Sequence, residues 1–409
     1  MKKLISKILL KFKSIIESLV FFLIKKNYLN FAYLISKLFK YFFLREIFVR
    51  KQINYNNINE LLSLIKKEKV LKLKNTSNFN LIGKKILFLG LNKYNFKSYW
   101  LGTAKNLRAK VHFYPTDNVS YIKESQNNFK VLNKFELNLN NKIKQIKPDL
   151  IFMDINYLGN KNTINQKILQ NIKKSKSHKP KIVGWIGDIY SNAALEIVKY
   201  WSKYVDFIIY SEPLAKKYIN KTSISNFKFI NFCVNEKSFY FQKKKRLLFF
   251  SGTGSISRYP FLIAVIKKYF YNNKILILFH NKYNNLSISL SKYQKNIRQS
   301  QSTINFTCRN IPHLRVFAGR AFEAIASKSL LIEEKNNSIY KLLRPYRDFI
   351  PFDSVKELLI AIDFVKRYPK LTLQISNNAY NHYQNKYHSK FFWKKLFFLI
   401  SLKKNNLNY

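Results

Sequence analysis

Short apolar runs alternate with helical patterns from residue 84 onward, and this alternation limits the possible folds more than any other feature of the chain. Strands that alternate with helices form parallel sheets, because each crossover helix packs on a face of the sheet. The sequence therefore predicts the α/β class. The predicted strands cover residues 85–89, 111–114, 150–153, 181–186, 207–210, 246–250, 274–279 and 329–332, and the predicted helices cover residues 98–110, 163–174, 193–204 and 260–269.

Several predicted strands of the first half end at a glycine or a polar residue. Ligands of parallel sheets bind beyond the carboxyl ends of the strands, and the residues there are Gly90, Asp154, Asp188 and Ser211. Asp188 is the main catalytic candidate, because a carboxylate after a strand can act as a general base toward an acceptor hydroxyl. The alternative is that Asp188 caps the helix beginning near residue 192. Asp154 and Gly90 are secondary candidates.

The second half begins with a glycine-containing loop, SGTGSISRY, which follows the strand at 246–250. Gly252 and Gly254 permit close approach of the backbone to a ligand. Ser255 and the start of the next helix, near Pro260, are predicted to cradle a phosphate, and Arg258 would add positive charge. The alternative is an ordinary glycine turn, since such turns are common.

One carboxylate, Glu323, falls in the first turn of a short predicted helix, with Arg315 and Arg320 before it. A carboxylate can accept hydrogen bonds from vicinal hydroxyls such as those of a ribose, and arginines can hold a diphosphate. These residue types favour a nucleotide-sugar site. The alternative is a carboxylate stabilised only by the helix dipole, worth about 0.3–1 kcal/mol, beside solvated surface arginines.

The same stretch resembles the C-terminal half of bacterial glycosyltransferases with the two-Rossmann-domain (GT-B) architecture, and in particular the family-1-like transferases related to the CgeB spore-maturation protein. The resemblance implies two facing Rossmann-like domains, a nucleotide-sugar co-substrate and no cofactor. It departs from related transferases at Arg315, where they often carry Glu, and at Lys328, where they favour Gly. The matching positions are Arg320, Phe322, Glu323, Ala324, the apolar residues 330–332, Phe352, Asp353, Glu357 and Leu358.

The resemblance also suggests domain boundaries. Residues 227–241 resemble the crossover between the two GT-B domains, and residues 387–399 suit the last helix, which returns to the first domain in this architecture. The predicted organisation is a basic amphipathic helical extension at 1–78, an acceptor domain at 79–235, a nucleotide-sugar domain at 236–385 and a return helix with tail at 386–409.

The N-terminal extension has a helical stripe of apolar residues from 4 to 23 and lysines on the opposite face. Its longest uncharged apolar run, residues 19–24, is far below the roughly 20 residues of a spanning helix. Two interpretations remain open. The extension is an anchor on an anionic membrane surface, or it is a helical hairpin packed on the first domain. We expect a cytoplasmic protein, with peripheral association at the inner membrane face under the first interpretation.

The formal charge of +53 raises the question of nucleic acid, but 62 of the 74 basic residues are Lys, a pattern expected of drift in an AT-rich genome. No zinc-finger spacing or RNP signature is present, so no specific nucleic-acid partner is predicted. No Asp-x-Asp motif occurs, which favours metal-independent transfer to a glycan or lipid-linked acceptor. The alternatives are a GT-B-fold nucleotide-sugar epimerase and a non-catalytic basic protein that binds membrane or RNA.

Overall fold

The computed structural model of the chain describes residues 14–24, 26, 28–43, 55–73, 78–91, 96–116, 129–155, 166–174, 178–187, 192–215, 224–269, 271–280, 288–307 and 317–401. The chain divides into two units, each with its own parallel sheet. The first unit comprises Asn75–Lys237 and Asn385–Tyr409. The second unit comprises Met1–Lys74 and Ser238–Gln384. The predicted fold class, α/β with two parallel sheets, is confirmed.

The first unit contains a six-stranded sheet of order β2-β1-β3-β4-β5-β6. Its middle strands are almost continuously buried, as expected of a parallel sheet covered by helices on both faces. The strands are β1 Lys85–Gly90, β2 Lys110–Pro115, β3 Leu150–Asp154, β4 Lys181–Ile186, β5 Phe207–Tyr210 and β6 Phe227–Phe229; the helices are a π-helical turn Phe96–Leu101, α4 Gly102–Asn106, α5 Phe129–Ile146, α6 Gln166–Lys174, α7 Asn192–Ser202 and α14 Ser389–Ser401.

The second unit contains a five-stranded sheet of order β11-β10-β9-β7-β8. The strands are β7 Arg246–Thr253, β8 Ile275–His280, β9 Ser300–Asn305, β10 Leu330–Glu334 and β11 Phe349–Phe352. The helices are α1 at residues 14–24, α2 Leu29–Phe43, α3 Ile58–Lys66, α8 Tyr259–Tyr269, α9 Leu290–Arg298, α10 Arg320–Ala326, α11 Ile339–Leu342, α12 Val355–Arg367 and α13 Pro369–Lys386.

The last helix, α14, belongs to the first unit. Trp393 is fully buried there, and its indole Nε1 donates to the Thr103 hydroxyl at 3.0 Å. Its ring packs against Phe88 and Phe152 of the sheet. At the start of α14, the Ser389 backbone N–H and hydroxyl both donate to the Glu236 carboxylate at 2.8 Å. The helix is therefore held by a buried aromatic cluster and by a hydrogen-bonded N-terminus.

The N-terminal helices α1 and α2 pack against the second unit. Ile16, Val20 and Leu23 of α1 and Ala32 of α2 share a buried cluster with Ile256 and two side chains of α8. The packing partner is thus the sheet domain that follows residue 238, whereas the hairpin interpretation expected the first domain. None of the described helices is long and apolar enough to span a bilayer.

Several predicted element boundaries were wrong. The strand β7 extends to Thr253 rather than to residue 250, because Ser251 to Thr253 continue the parallel pairing with β8. The predicted helix at 98–110 ends at Asn106, since Arg108 adopts a left-handed conformation with φ of 67°. Residues 349–352, for which no strand was predicted, form β11, and residues 227–229 of the predicted crossover form β6.

Strand β9 was missed because its sequence, SQSTIN, is mostly polar although the strand is buried. Hydrogen bonds replace apolar packing there. The Ser302 hydroxyl donates to the Leu247 carbonyl at 2.8 Å, and Thr303 and Ser329 share a hydroxyl–hydroxyl bond of 2.8 Å. A search for apolar runs cannot find a strand of this kind.

Candidate functional site

In both sheets the first strand of the unit lies between the second and the third strand. The second strand lies on one side of the first strand and the third strand lies on the other, so the strand order reverses at the first strand. A crevice opens at such a reversal, at the carboxyl ends of the first and third strands, and ligands of parallel sheets bind there. The crevice of the second unit lies between the ends of β7 and β9, and that of the first unit lies between the ends of β1 and β3.

Arg258 lies at the crevice of the second unit. Its Nη1 donates to the carbonyl of Thr253, the last residue of β7, at 2.9 Å. Its guanidinium carbon is 5.9 Å from the ring centroid of Phe306, which directly follows β9. One positive charge therefore spans the ends of the two strands that form the crevice, where an anionic ligand group would be stabilised.

The second predicted arginine, Arg320, lies at the same edge. A Cβ atom built on Gly252 would be 3.1 Å from its Nη1 and 3.0 Å from the Phe250 ring. The structure thus brings together the glycine segment and an arginine 68 positions later in the chain, both of which the sequence assigned to a diphosphate. Gly252 allows this approach, although it belongs to β7 and not to the loop.

Glu323 occupies the first turn of α10, as predicted, and is 3% exposed. The Tyr293 hydroxyl of α9 donates to its Oε2. Burial raises the pKa of Glu323 from 4.5 to about 8, because the charged form is poorly solvated. Tyr293 also lies beside Arg320, with 5.9 Å between the guanidinium carbon and the ring centroid. A ribose hydroxyl that binds Glu323 would have to share the carboxylate with this tyrosine.

The loop from Gly254 to Arg258 is folded tightly onto the start of α8. A Cβ atom on Gly254 would be 2.5 Å from the Tyr259 hydroxyl, so only glycine fits there. The hydroxyls of Ser255 and Ser257 bond to each other at 2.9 Å, and the Ser255 carbonyl accepts the backbone N–H groups of Arg258 and Tyr259. The predicted phosphate cradle is therefore a compact turn at the beginning of a helix.

A carboxylate already lies on this turn. The backbone N–H of Ile256 donates to Oε1 of Glu17 in α1 at 3.1 Å. Glu17 is thus a neighbour of the loop that sequence reasoning did not identify. This N–H group is already bonded to a carboxylate, so a phosphate at the turn would have to displace Glu17 or use other donors.

A buried polar network at the ends of β9 and β10 was also missed. Glu333 is fully buried, and its carboxylate accepts hydrogen bonds from the side-chain amides of Asn305 at 2.8 Å and Asn336 at 3.2 Å. Burial raises the pKa of Glu333 well above its ordinary value, while these bonds and the charge of Arg320 oppose the shift. Two adjacent glutamates, Glu333 and Glu334, could have indicated this network from the sequence, because the chain has only 21 acidic residues.

In the first unit, Gly90 and Asp154 lie at the carboxyl ends of β1 and β3 and so flank the crevice of that sheet. Gly90 is buried and Asp154 is half-buried. The proposed catalytic residue Asp188 and the secondary candidate Arg315 lie outside the described residues. Among the residues that the structure describes, no group of three or more His, Cys, Asp or Glu is placed to hold a metal ion.

The turn after α10 contains a left-handed residue. Lys328 has a φ of 49°, although the family favours Gly at this position. A non-glycine residue in this conformation costs on the order of 1 kcal/mol. The Lys328 ammonium lies 4.6 Å from the ring centroid of Tyr380, and such a cation–π contact contributes about 0.5–1 kcal/mol at an exposed site. The contact offsets most of the cost.

Comparison with known proteins places these features in context. Residues 254–396 match a family described as "Glycosyl transferase-like", and this range includes Arg258, Arg320 and Glu323. Among solved structures, the chain is similar to HepE of Anabaena in complex with UDP and glucose, with 12% identity and a TM-score of 0.50 over 78% of this chain and 100% of that chain. It is also similar to sucrose-phosphate synthase of Thermosynechococcus elongatus, with 9% identity and a TM-score of 0.51 over 78% and 99%.

The chain has a GT-B fold. At such low identities the two structures show the fold alone, and no curated protein matches the chain in sequence. The family match covers the loop after β7, the helix that carries Glu323 and part of the return helix.

Proposed function

We propose that this protein is a glycosyltransferase that moves a sugar from a nucleotide-sugar donor to a cell-surface glycan or lipid-linked acceptor. One observation carries the proposal: Arg258, from the turn before α8, and Arg320, from α10, both lie at the carboxyl-end edge of the second sheet, beside the glycine segment. Two convergent arginines suit a diphosphate. The match of residues 254–396 to a glycosyltransferase-like family supports the same activity.

In this proposal the donor binds to the second unit. Arg258, Arg320 and the turn at Gly254–Ser255 hold the diphosphate, and Glu323 accepts hydrogen bonds from the ribose hydroxyls. Transfer is metal-independent, because the arginines and the helix start stabilise the negative charge of the departing nucleoside diphosphate. The donor class to test first is a UDP-sugar, because the similar Anabaena structure holds UDP and glucose.

The acceptor side of the proposal rests on the first unit. Asp188 acts as general base toward the acceptor hydroxyl, and Asp154 and Gly90, at the ends of β3 and β1, are secondary candidates. The CgeB-related group is the proposed subfamily, on the residues that resemble it. We place the reaction at the cytoplasmic face of the membrane, where lipid-linked acceptors are available.

The donor site is tested by thermal shift of the purified protein with UDP-glucose and with GDP-, ADP- and dTDP-sugars. A donor at 100 times its Kd should stabilise the protein by about 2.7 kcal/mol. Arg258→Gln and Arg320→Gln should each raise the Kd roughly 10- to 150-fold, since a charge-assisted hydrogen bond contributes about 1.5–3 kcal/mol.

Arg367→Gln is the matched control, because Arg367 is an exposed arginine of α12 in the same unit. It should bind the donor as the wild type does. The proposal is contradicted if no nucleotide sugar shifts the wild type, or if all three arginine variants lose the shift equally. A donor that is bound and converted to its epimer without acceptor would instead identify an epimerase.

A further inference from the structure

The N-terminal helices α1 and α2 have a covered face and an uncovered face. On the covered face, Ile16, Val20 and Leu23 recur at helical spacing and are at most 9% exposed, because they pack on the second unit. Ala32 and Ser36 of α2 are fully buried in the same way. These contacts fix the orientation of both helices and so determine which side chains point outward.

The uncovered face is also apolar. In α1, Ile15, Leu19 and Phe22 are 64%, 42% and 52% exposed, and they follow the spacing i, i+4, i+7. In α2, Phe31, Leu34 and Leu38 are 57%, 51% and 53% exposed, at i, i+3, i+7. Each set forms one stripe along its helix. With Tyr28 between the helices, which is 63% exposed, these residues are the outer stripe.

The outer stripe is unusual for this protein. It contains seven of the sixteen large apolar side chains that are exposed among the described residues, within 24 positions of the chain. Scattered exposed apolar residues are normal, but a contiguous patch marks an interaction surface. The remaining nine are spread over residues 70–398.

Positive charge is abundant in the segment that carries the outer stripe. Residues 1–50 contain nine lysines and two arginines against two glutamates. Lys26, between the helices, and Lys37, next to Leu38, are exposed. Lys267 of α8 approaches the same helices, donating to the Asn30 side chain and lying 5.9 Å from the Tyr33 ring centroid. An apolar strip flanked by cations is complementary to a surface with acyl chains beneath anionic headgroups.

We propose that the outer stripe docks on an anionic lipid bilayer while the opposite faces of the same helices stay packed on the second unit. The segment is then a membrane anchor on one face and a packed hairpin on the other, although it packs on the second unit and not on the first domain that the sequence analysis expected. Docking is interfacial, because no helix in the described part of the chain is long and apolar enough to cross the hydrocarbon core.

The contact between Glu17 and Ile256 gives the docking surface a position relative to the donor loop. One face of α1 touches that loop, and the other carries the outer stripe. An α-helix is about 10–12 Å across with its side chains, so docking holds the loop about one helix diameter from the headgroups. This consequence rests on the proposed function, because only a transferase with a lipid-linked acceptor needs its donor site at that distance.

The test is sedimentation of the full-length protein with vesicles of phosphatidylcholine alone and of phosphatidylcholine with phosphatidylglycerol. The wild type should bind the anionic vesicles at least tenfold more tightly, and binding should weaken as salt is raised. Leu34→Asp and Leu19→Asp should each weaken it at least tenfold. Leu373→Asp is the matched control, because Leu373 lies in α13 and is 49% exposed, close to the value for Leu34.

Three results would overturn the proposal: no binding of the wild type to anionic vesicles, equal loss in Leu34→Asp and Leu373→Asp, or a wild-type dimer in light scattering that Leu34→Asp converts to a monomer. The last would identify the outer stripe as an interface between two copies. Circular dichroism of each variant shows that it is folded. Donor thermal shift without vesicles separates the two proposals, because Leu34→Asp should retain it. A wild type that shifts with donor but does not bind anionic vesicles contradicts docking and leaves donor binding standing.

Discussion

The buried carboxyl of Glu323 makes the stability of the second unit depend on pH in a way that one substitution should abolish. Its side chain is 3% exposed and accepts a hydrogen bond from Tyr293. Burial raises its pKa from 4.5 to about 8. Glu323→Gln replaces the protonated acid by a neutral amide of nearly the same shape, whose carbonyl oxygen can still accept the Tyr293 hydroxyl.

The sign of the effect follows from the two pKa values. Below pH 4.5 both the folded and the unfolded state hold the proton, and the stability contribution of the group is fully present. Between pH 4.5 and about 8 the unfolded state releases the proton and the folded state keeps it, so the free energy of unfolding falls as the pH rises. The fall is between 1 and 2 kcal/mol per pH unit, or about 5 kcal/mol over the whole window.

The measurement is chemical denaturation of the wild type and Glu323→Gln at several pH values from 5 to 8. All four tryptophans belong to the first unit, so tryptophan fluorescence reports that unit. Unfolding around Glu323 should instead be followed by far-ultraviolet circular dichroism. The free energy of unfolding of Glu323→Gln should exceed that of the wild type by an amount that grows steadily as the pH rises. Glu196→Gln is the control, because the Glu196 side chain is 64% exposed. Its free energy of unfolding should differ from that of the wild type by the same amount at every pH.

The reasoning is refuted if the difference in free energy of unfolding between the wild type and Glu323→Gln stays constant from pH 5 to 8. That result would mean that Glu323 is ionised in the folded protein and that other groups stabilise its charge. An ionised Glu323 would also accept ribose hydroxyls more strongly, so the outcome bears on how the proposed donor site works.

Three further predictions concern single positions. Gly254→Ala places a methyl group 2.5 Å from the Tyr259 hydroxyl and should lower stability by about 1–3 kcal/mol in thermal denaturation; an unchanged melting temperature would contradict the close packing of the turn against that ring. Asp348→Asn should cost roughly 3–5 kcal/mol at neutral pH, because it leaves the Arg347 guanidinium without its carboxylate. The pKa of Asp348 is lowered from 3.8, because its hydrogen bonds outweigh the effect of its burial. The stability that its charge contributes is therefore present above pH 3.8 and lost as the pH falls through the folded pKa. In that acidic range the wild type and Asp348→Asn should become more similar in free energy of unfolding. Trp393→Phe removes the indole donor to a buried threonine hydroxyl and should cost about 1–2 kcal/mol in the first unit, and a cost near zero in urea denaturation would show that the bond contributes nothing.

The strand–helix alternation predicted most of both sheets, because apolar runs between amphipathic helices reflect burial on both faces of a parallel sheet. Strand β4 was predicted with its observed ends, Lys181–Ile186. The prediction failed where burial is achieved without apolar residues, as in β9, whose Ser302 and Thr303 bury their hydroxyls in hydrogen bonds. Local patterns do not contain such long-range partners.

The candidate site shows the same limit. The residue types at Arg258, Arg320 and Glu323 could be identified from the sequence, because charges at helix starts after buried strands are locally recognisable. The residues that contact them could not be identified from the sequence. Tyr293 reaches Glu323 from 30 positions away, and Glu17 reaches Ile256 from 239 positions away. Contacts of that kind depend on how the helices pack, which a single sequence does not record.

The return of α14 to the first unit has a consequence for the order in which the chain can fold during synthesis. Thr103 and Trp393 are 290 positions apart, so the sheet of the first unit leaves the ribosome long before the helix that covers Phe88 and Phe152. Until then its aromatic surface is exposed while the second unit is being made. Chaperone binding to nascent chains should therefore persist until residue 393 has emerged, and should end abruptly when the last helix docks.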